Sequence, residues 1–175
     1  MAAHKIPRPK LTSLPQYVAT MFGIGLLPIM PGSYCSVIVA VPGLWLSLFT
    51  SVPASEIAIG YAVAGILFTV AGQWSIGRIQ EGWGHDPSVV VIDEAVGMCI
   101  TMLFPAVYGG LALWMTAVLL FRIFDVMKPW PMNVINDRTE AWAVIGDDAV
   151  AGLVAGLSTQ IVAAALMTLG LAIQF

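Results

Sequence analysis

"VVVIDEAVGMCITMLF", residues 89–104, decides how this chain is read. It is an apolar run interrupted by two adjacent carboxylates, Asp93 and Glu94. No basic residue lies inside it to neutralise them. Acids in an apolar segment are costly and mark function by default. The rest of the chain must say what solvent surrounds this run and what meets the two acids.

The composition points to lipid as that solvent. Of 175 residues, 59% are hydrophobic and 10% are charged, with a mean hydropathy of +0.90. A soluble domain carries about 25% charged residues. The apolar runs continue to the C-terminus, so a cleaved leader does not account for them. There is no repeat, linker or low-complexity tract, and one domain over 1–175 is expected. The net charge of −3 comes with no basic patch, which excludes nucleic acid as a partner. Cys35 and Cys99 both lie in apolar stretches and form no CxxC pair, so zinc and redox roles are disfavoured. Cys99 also lacks the arginine, six positions on, of a cysteine phosphatase; Pro105 stands there.

A spanning helix needs roughly 20 predominantly apolar residues. Five stretches qualify, at about 34–51, 56–77, 88–107, 109–127 and 148–173. The expected fold is an all-α integral membrane bundle of about five transmembrane helices. Pro42 is expected to kink the first, with packed neighbours repairing the freed backbone. Ahead of them, residues 17–32 are apolar but broken by Gly23, Gly25, Pro28, Pro31 and Gly32. That pattern predicts a short interfacial or re-entrant segment.

The connections alternate in character. Loops 52–55 and 108–110 are uncharged, whereas the N-terminus, loop 78–87 and segment 128–147 carry charge. With five spans, all the charged segments fall on one side. Lys5, Arg8 and Lys10 mark that side as cytoplasmic. Asp93 and Glu94 then open the third span, Asp125 lies near the end of the fourth, and Asp147 and Asp148 open the fifth. Five acids converge on one membrane face, with Arg122, Lys128, His85 and Asp86 at the same level. Glu56 lies at the opposite face.

Acids at a helix start can simply answer the helix dipole, worth roughly 0.3–1 kcal/mol. Five together repel unless a cation sits among them. Oxygen ligands suit a hard cation, and Mg²⁺ combines carboxylates with waters and a substrate phosphate. The expected ligands are Asp93, Glu94, Asp125 and Asp148, with Asp86 and Asp147 behind them. In "FRIFDVMKPWP", 121–131, Arg122, Asp125 and Lys128 recur every three residues and would share a helix face. Alone that is an ion-pair ladder. Beside an acid cluster, Arg122 and Lys128 become a phosphate clamp. These residues ask for a membrane-resident substrate with a terminal phosphate.

The motifs "FRIFDVMKPWP", "HDPSVVVIDEAVGM", "DDAVAG" and "GIGLLPIMPGSYCS" together resemble the phosphatidylglycerophosphatase A family, over roughly 17–160. The resemblance implies a Mg²⁺-dependent enzyme of the bacterial cytoplasmic (inner) membrane. It would convert the phospholipid phosphatidylglycerophosphate to phosphatidylglycerol, with a multi-pass fold and its active site facing the cytoplasm. Catalytic roles are expected for Asp93, Glu94, Asp125, Arg122 and Lys128, and substrate binding for Arg122, Lys128 and Ser33. The chain departs from the family pattern at Ile24, Leu27, Ser33 and Cys35, where two serines, a threonine and a glycine are usual.

Two other readings compete. A CDP-alcohol phosphotransferase would need aspartates along DxxDGxxAR, which are absent. A cation- or proton-coupled transporter would hold its acids near the midplane rather than at one face. For a phosphatase, two routes stay open. Water could attack phosphorus directly, or an aspartate could form an aspartyl-phosphate. Direct attack is preferred, because the acids are already committed as ligands. His85 is a candidate for proton transfer.

Overall fold

The computed structural model describes residues 9–84 and 87–170. Among these there are seven helices and no strand. They are α1 (Leu14–Ala19), α2 (Pro31–Phe49), α3 (Ala54–Trp83), α4 (Ile92–Thr101), α5 (Leu111–Met127), α6 (Met132–Asn136) and α7 (Ala141–Thr168). Short 3-10 turns occupy Ile24–Leu26 and Pro105–Tyr108.

Residue pairs across the bundle set the helix directions. Gly97 meets Asp148 and Gly152, Thr101 bonds to Gly152, and Phe104 meets Gly156, so α4 and α7 run parallel. Gly32 meets Arg122 and Ala40 meets Trp114, so α2 and α5 run antiparallel. The starts of α2, α4 and α7 therefore share one pole with the end of α5. That pole holds the acids.

α4 is the centre of the bundle. Ile92, Asp93, Ala95 to Cys99 and Thr101 are all buried. A helix buried on every side reads as uniformly apolar. Its closest partner is α7, and glycine makes that approach possible. A Cβ on Gly152 would lie 2.1 Å from the Gly97 carbonyl oxygen. Small residues at such crossings let helix backbones meet where lipid supplies no hydrophobic drive. The outer faces carry exposed apolar side chains, among them Trp45, Ile66, Val70, Leu119 and Ile161.

Three helices, α2, α3 and α7, are long and apolar enough to cross a membrane. The other two expected spans come out shorter. The run 88–107 yields only the ten-residue α4, roughly 15 Å at 1.5 Å per residue. Upstream, the Val91 N–H donates to the Ala19 carbonyl at 3.0 Å and ties the lead-in to α4 onto α1. Downstream, Pro105 opens a 3-10 turn and Gly110, at φ 117°, enters α5 in a conformation only glycine adopts readily. α5 has 17 residues, roughly 25 Å, the lower limit for a span. α7 begins at Ala141, seven residues before the expected 148. Asp147 and Asp148 thus lie in its second turn, beyond the reach of the helix-end dipole. The segment 17–32 is broken as expected, into α1, a left-handed turn at Met21–Gly23 and a 3-10 turn.

Pro42 does sit inside α2. Tyr61 of α3 repairs the ladder there by insertion. The Gly43 N–H donates to the Tyr61 hydroxyl at 2.9 Å, and that hydroxyl donates to the Val39 carbonyl at 2.9 Å. A side chain inserted between residues i and i−4 opens a helix locally. Gly43 is required, since a Cβ there would lie 2.7 Å from the Tyr61 ring.

The crossing of α4 and α7 gives a stability test. Gly152→Ala must push the two helices apart, at a cost of about 1–3 kcal/mol. Thermal unfolding in detergent should show a lowered midpoint. Gly77→Ala, where an added Cβ meets nothing within 4 Å, should show none or a slight rise. Equal behaviour of the two variants would contradict this packing.

Candidate active site

The pole shared by α2, α4, α5 and α7 brings carboxylates together from two helices. Asp93 and Glu94 stand in the first turn of α4, and Asp148 in the second turn of α7. One oxygen from each lies within 4.8 Å of the others. Asp93 and Asp148 are buried, and the Glu94 side chain is 14% exposed. Glu94 Oε2 and Asp148 Oδ2 are buried with no hydrogen-bond partner among the described residues.

Arg122 faces this triad from the last turns of α5. Its guanidinium lies 2.5 Å from Asp125 Oδ2 and 3.6 Å from Glu94 Oε1. The start of α2 closes the site from the other side. A Cβ on Gly32 would fall 1.9 Å from Glu94 Oε1 and 3.0 Å from the Arg122 guanidinium. Only glycine lets α2 come this close to the charged pair. The next residue, Ser33, has a buried hydroxyl without a partner among the described residues. Met30, held at φ 48°, turns the chain into α2 at this point. Left-handed non-glycine residues tend to collect at functional sites.

Lys128 behaves differently from the expected face-sharing ladder. α5 stops at Met127 because Pro129 and Pro131 follow. Lys128 caps it at φ 42°, turned away from the Arg122 and Asp125 row. Its ammonium donates to Asn136 Oδ1 at 2.6 Å and pairs with Asp147. Lys128 and Asp147 thus form a second charged group at the same pole. Asn136 belongs to α6, which Met132 anchors in the core.

Of the expected site residues, the structure unites Asp93, Glu94 and Asp148. It sets Asp125 and Arg122 against them, places Ser33 on the α2 wall and joins Lys128 to Asp147. His85 and Asp86 lie outside the described residues. Sequence reasoning missed Gly32 and Asn136. Gly32 had a signal, a glycine at the mouth of a helix beside a proline; Asn136 had none in spacing or hydropathy.

Five acids, Asp93, Glu94, Asp125, Asp147 and Asp148, face two cations, Arg122 and Lys128. Among the described residues the formal excess is three negative charges, most of it buried. Burying charge without a counter-ion costs several kcal/mol per ion. Protons or a further cation would balance it, and converging carboxylate oxygens are the donors a hard divalent cation takes.

The family model of phosphatidylglycerophosphatase A matches residues 17–163. A protein of Bacteroides thetaiotaomicron with the provisional name phosphatidylinositol-3-phosphatase is 33% identical over 141 residues, covering 80% of this chain and 87% of its own length. Phosphatidylglycerophosphatase A of Escherichia coli is 31% identical over 150 residues, covering 84% and 82%. The Haemophilus influenzae protein of the same name is 27% identical over 141 residues, covering 79% and 82%. No solved structure matches significantly. With an acid and arginine site at one pole of an apolar helical bundle, and a family match over most of its length, this chain belongs to the phosphatidylglycerophosphatase A family of phosphatases.

Proposed function

We propose that the protein removes the terminal phosphate of phosphatidylglycerophosphate, with Mg²⁺, at the cytoplasmic face of a bacterial inner membrane. The observation that carries this reading is the triad Asp93, Glu94 and Asp148, with two partnerless buried oxygens. Those oxygens fit a hard cation. Asp93, Glu94 and Asp148 would hold it, with Asp125 close by through Arg122. Asp86 lies outside the described residues and Asp147 is engaged with Lys128. Bound there, the ion supplies charge neutralisation and Lewis-acid polarisation of a phosphoryl oxygen.

The chain's own residues do the rest. Arg122 is fixed by Asp125 and stands beside Glu94, so its fork can grip the transferred phosphoryl group and offset its growing charge. The Ser33 hydroxyl is a donor for another phosphate oxygen. Lys128, held by Asp147 and Asn136, adds positive potential at the rim. The α2 wall at Gly32 limits access of bulk water. We favour direct attack by water on phosphorus, since the acids are occupied as ligands and ion-pair partners. No step is assigned to His85.

The membrane arrangement supports a lipid substrate. Five segments, α2, α3, α4 with its 3-10 turn, α5 and α7, would traverse the bilayer, α4 as a short helix enclosed by the others. Connections 50–53 and 102–110 are uncharged, which favours their placement outside. The acids then sit near headgroup depth, and a substrate's acyl chains need not leave the bilayer. At about 0.8 kcal/mol per CH₂, extracting two chains would be prohibitive. A second reading has one observation in its favour: the Bacteroides relative carries a phosphoinositide phosphatase name. Its substrate would also be a lipid phosphomonoester.

Two outcomes are expected. In matched micelles with Mg²⁺, phosphatidylglycerophosphate should be hydrolysed faster than phosphatidylinositol 3-phosphate, phosphatidic acid or glycerol 3-phosphate, and EDTA should abolish the reaction. Faster turnover of the inositol lipid would shift the assignment to the second reading; full activity in EDTA would remove the cation. Arg122→Lys keeps the charge and loses the bidentate fork, so kcat/KM should fall by about tenfold or more. Wild-type kcat/KM in that variant would exclude fork recognition.

A further inference from the structure

Away from the acids, the bundle leaves an apolar groove of about 560 Å³ between α2 and α3. The two helices scarcely touch along their length. Tyr61 is part of the reason: its ring stands between them and its hydroxyl is inserted into the α2 ladder at Pro42. Met21, Val39 and Phe68 line one end of the groove, and Leu46, Val52 and Ile57 the other, with Glu56 at that far mouth.

The near end lies one packed apolar layer below the site. Met21, Val39 and Phe68 also pack on Cys35, Val91 and Ala95. Cys35 is one turn beyond Gly32, and Ala95 follows Glu94. The groove thus starts beyond this layer, on the α2 side of the acid pole, and runs away from it. From Phe68 to Glu56 it follows α3 for roughly 18 Å at 1.5 Å per residue, against about 15 Å for one leaflet of a 30 Å hydrocarbon core.

We propose that this groove seats one acyl chain of the phospholipid substrate while its phosphate meets Arg122 and the acids. The inference rests on the lipid phosphatase reading above and specifies how that lipid is held. Lipid tails are as apolar as the groove, so transfer from bilayer to groove brings little hydrophobic gain. What the groove supplies is register. A chain threaded between α2 and α3 fixes the depth and lateral position of its own headgroup, and misplacement by about 1 Å can cost 10²-fold in rate.

Gly60 offers a clean test. It lines the groove beside Tyr61, and a Cβ there meets nothing within 4 Å. Gly60→Leu therefore adds an apolar side chain at the groove from a Cβ that meets no neighbour, and improves helix propensity. Tyr61 bonds to Gly43, which lies about 16 Å along α2 from Gly32 by helical rise. Four-carbon acyl groups stop short of that level and sixteen-carbon groups pass it. Gly60→Leu should lower kcat/KM about tenfold or more for sixteen-carbon phosphatidylglycerophosphate, and leave the four-carbon form within about twofold of wild type. Gly77→Leu, on the same helix away from the groove and equally free of contacts, should leave both substrates unchanged. Equal loss on both chain lengths, no loss on either, or the same loss from Gly77→Leu would overturn the groove assignment while the lipid phosphatase reading stands. A wild-type protein that hydrolyses neither chain length would overturn both.

Discussion

The structure turns on one electrostatic constraint: Asp93, Glu94 and Asp148 converge in a buried space where, among the described residues, acids outnumber cations. Arg122 answers part of this through Glu94, but its shorter contact is with Asp125. Lys128 is spent on Asp147. Leaving such a cluster uncompensated would destabilise a bundle that is otherwise held by apolar packing. A cation bound there would relieve the repulsion and would also supply the positive charge that phosphoryl transfer needs. On that proposal, stability of the site and chemistry at the site share one cause.

The backbone is arranged to make that convergence possible. α4 and α7 could not bring Glu94 and Asp148 together if Gly97 and Gly152 carried side chains, since their backbones meet at this crossing. Gly32 performs the corresponding service for α2 against Glu94 and Arg122. Around this tight quadrant the bundle is looser, with α2 opened at Pro42 by the Tyr61 hydroxyl. A tightly packed polar pole and an open apolar cleft would together suit a substrate that is half headgroup and half hydrocarbon.

Much of this was legible in the sequence. Hydropathy placed five apolar segments and their charged connections, and the acids did meet Arg122 at one pole. The errors have physical causes. Residues 88–107 read as one continuous helix because hydropathy does not register tertiary contacts; α4 is shorter because Ala19 captures Val91 and Pro105 opens a separate 3-10 turn. Lys128 left the expected row because its backbone turns left-handed ahead of Pro129. Asp147 and Asp148 seemed to open a helix, yet the apolar "AWAVIG" before them is helical too. Asn136 was invisible because its role depends on a fold-back through α6 that no periodicity announces. The family motifs identified the chemistry, but not that Gly32 is a wall of the site.

The most direct test of the central claim is divalent-cation binding, measured by Mn²⁺ electron paramagnetic resonance on the purified protein in detergent. The wild type should bind Mn²⁺ in competition with Mg²⁺. The double variant Glu94→Gln, Asp148→Asn keeps the side-chain shapes, removes two of the three converging charges and should lose affinity by roughly 100-fold. Without metal, that variant should unfold at a higher temperature than the wild type, because the repulsion is gone. Undiminished Mn²⁺ binding in the folded double variant would contradict the account.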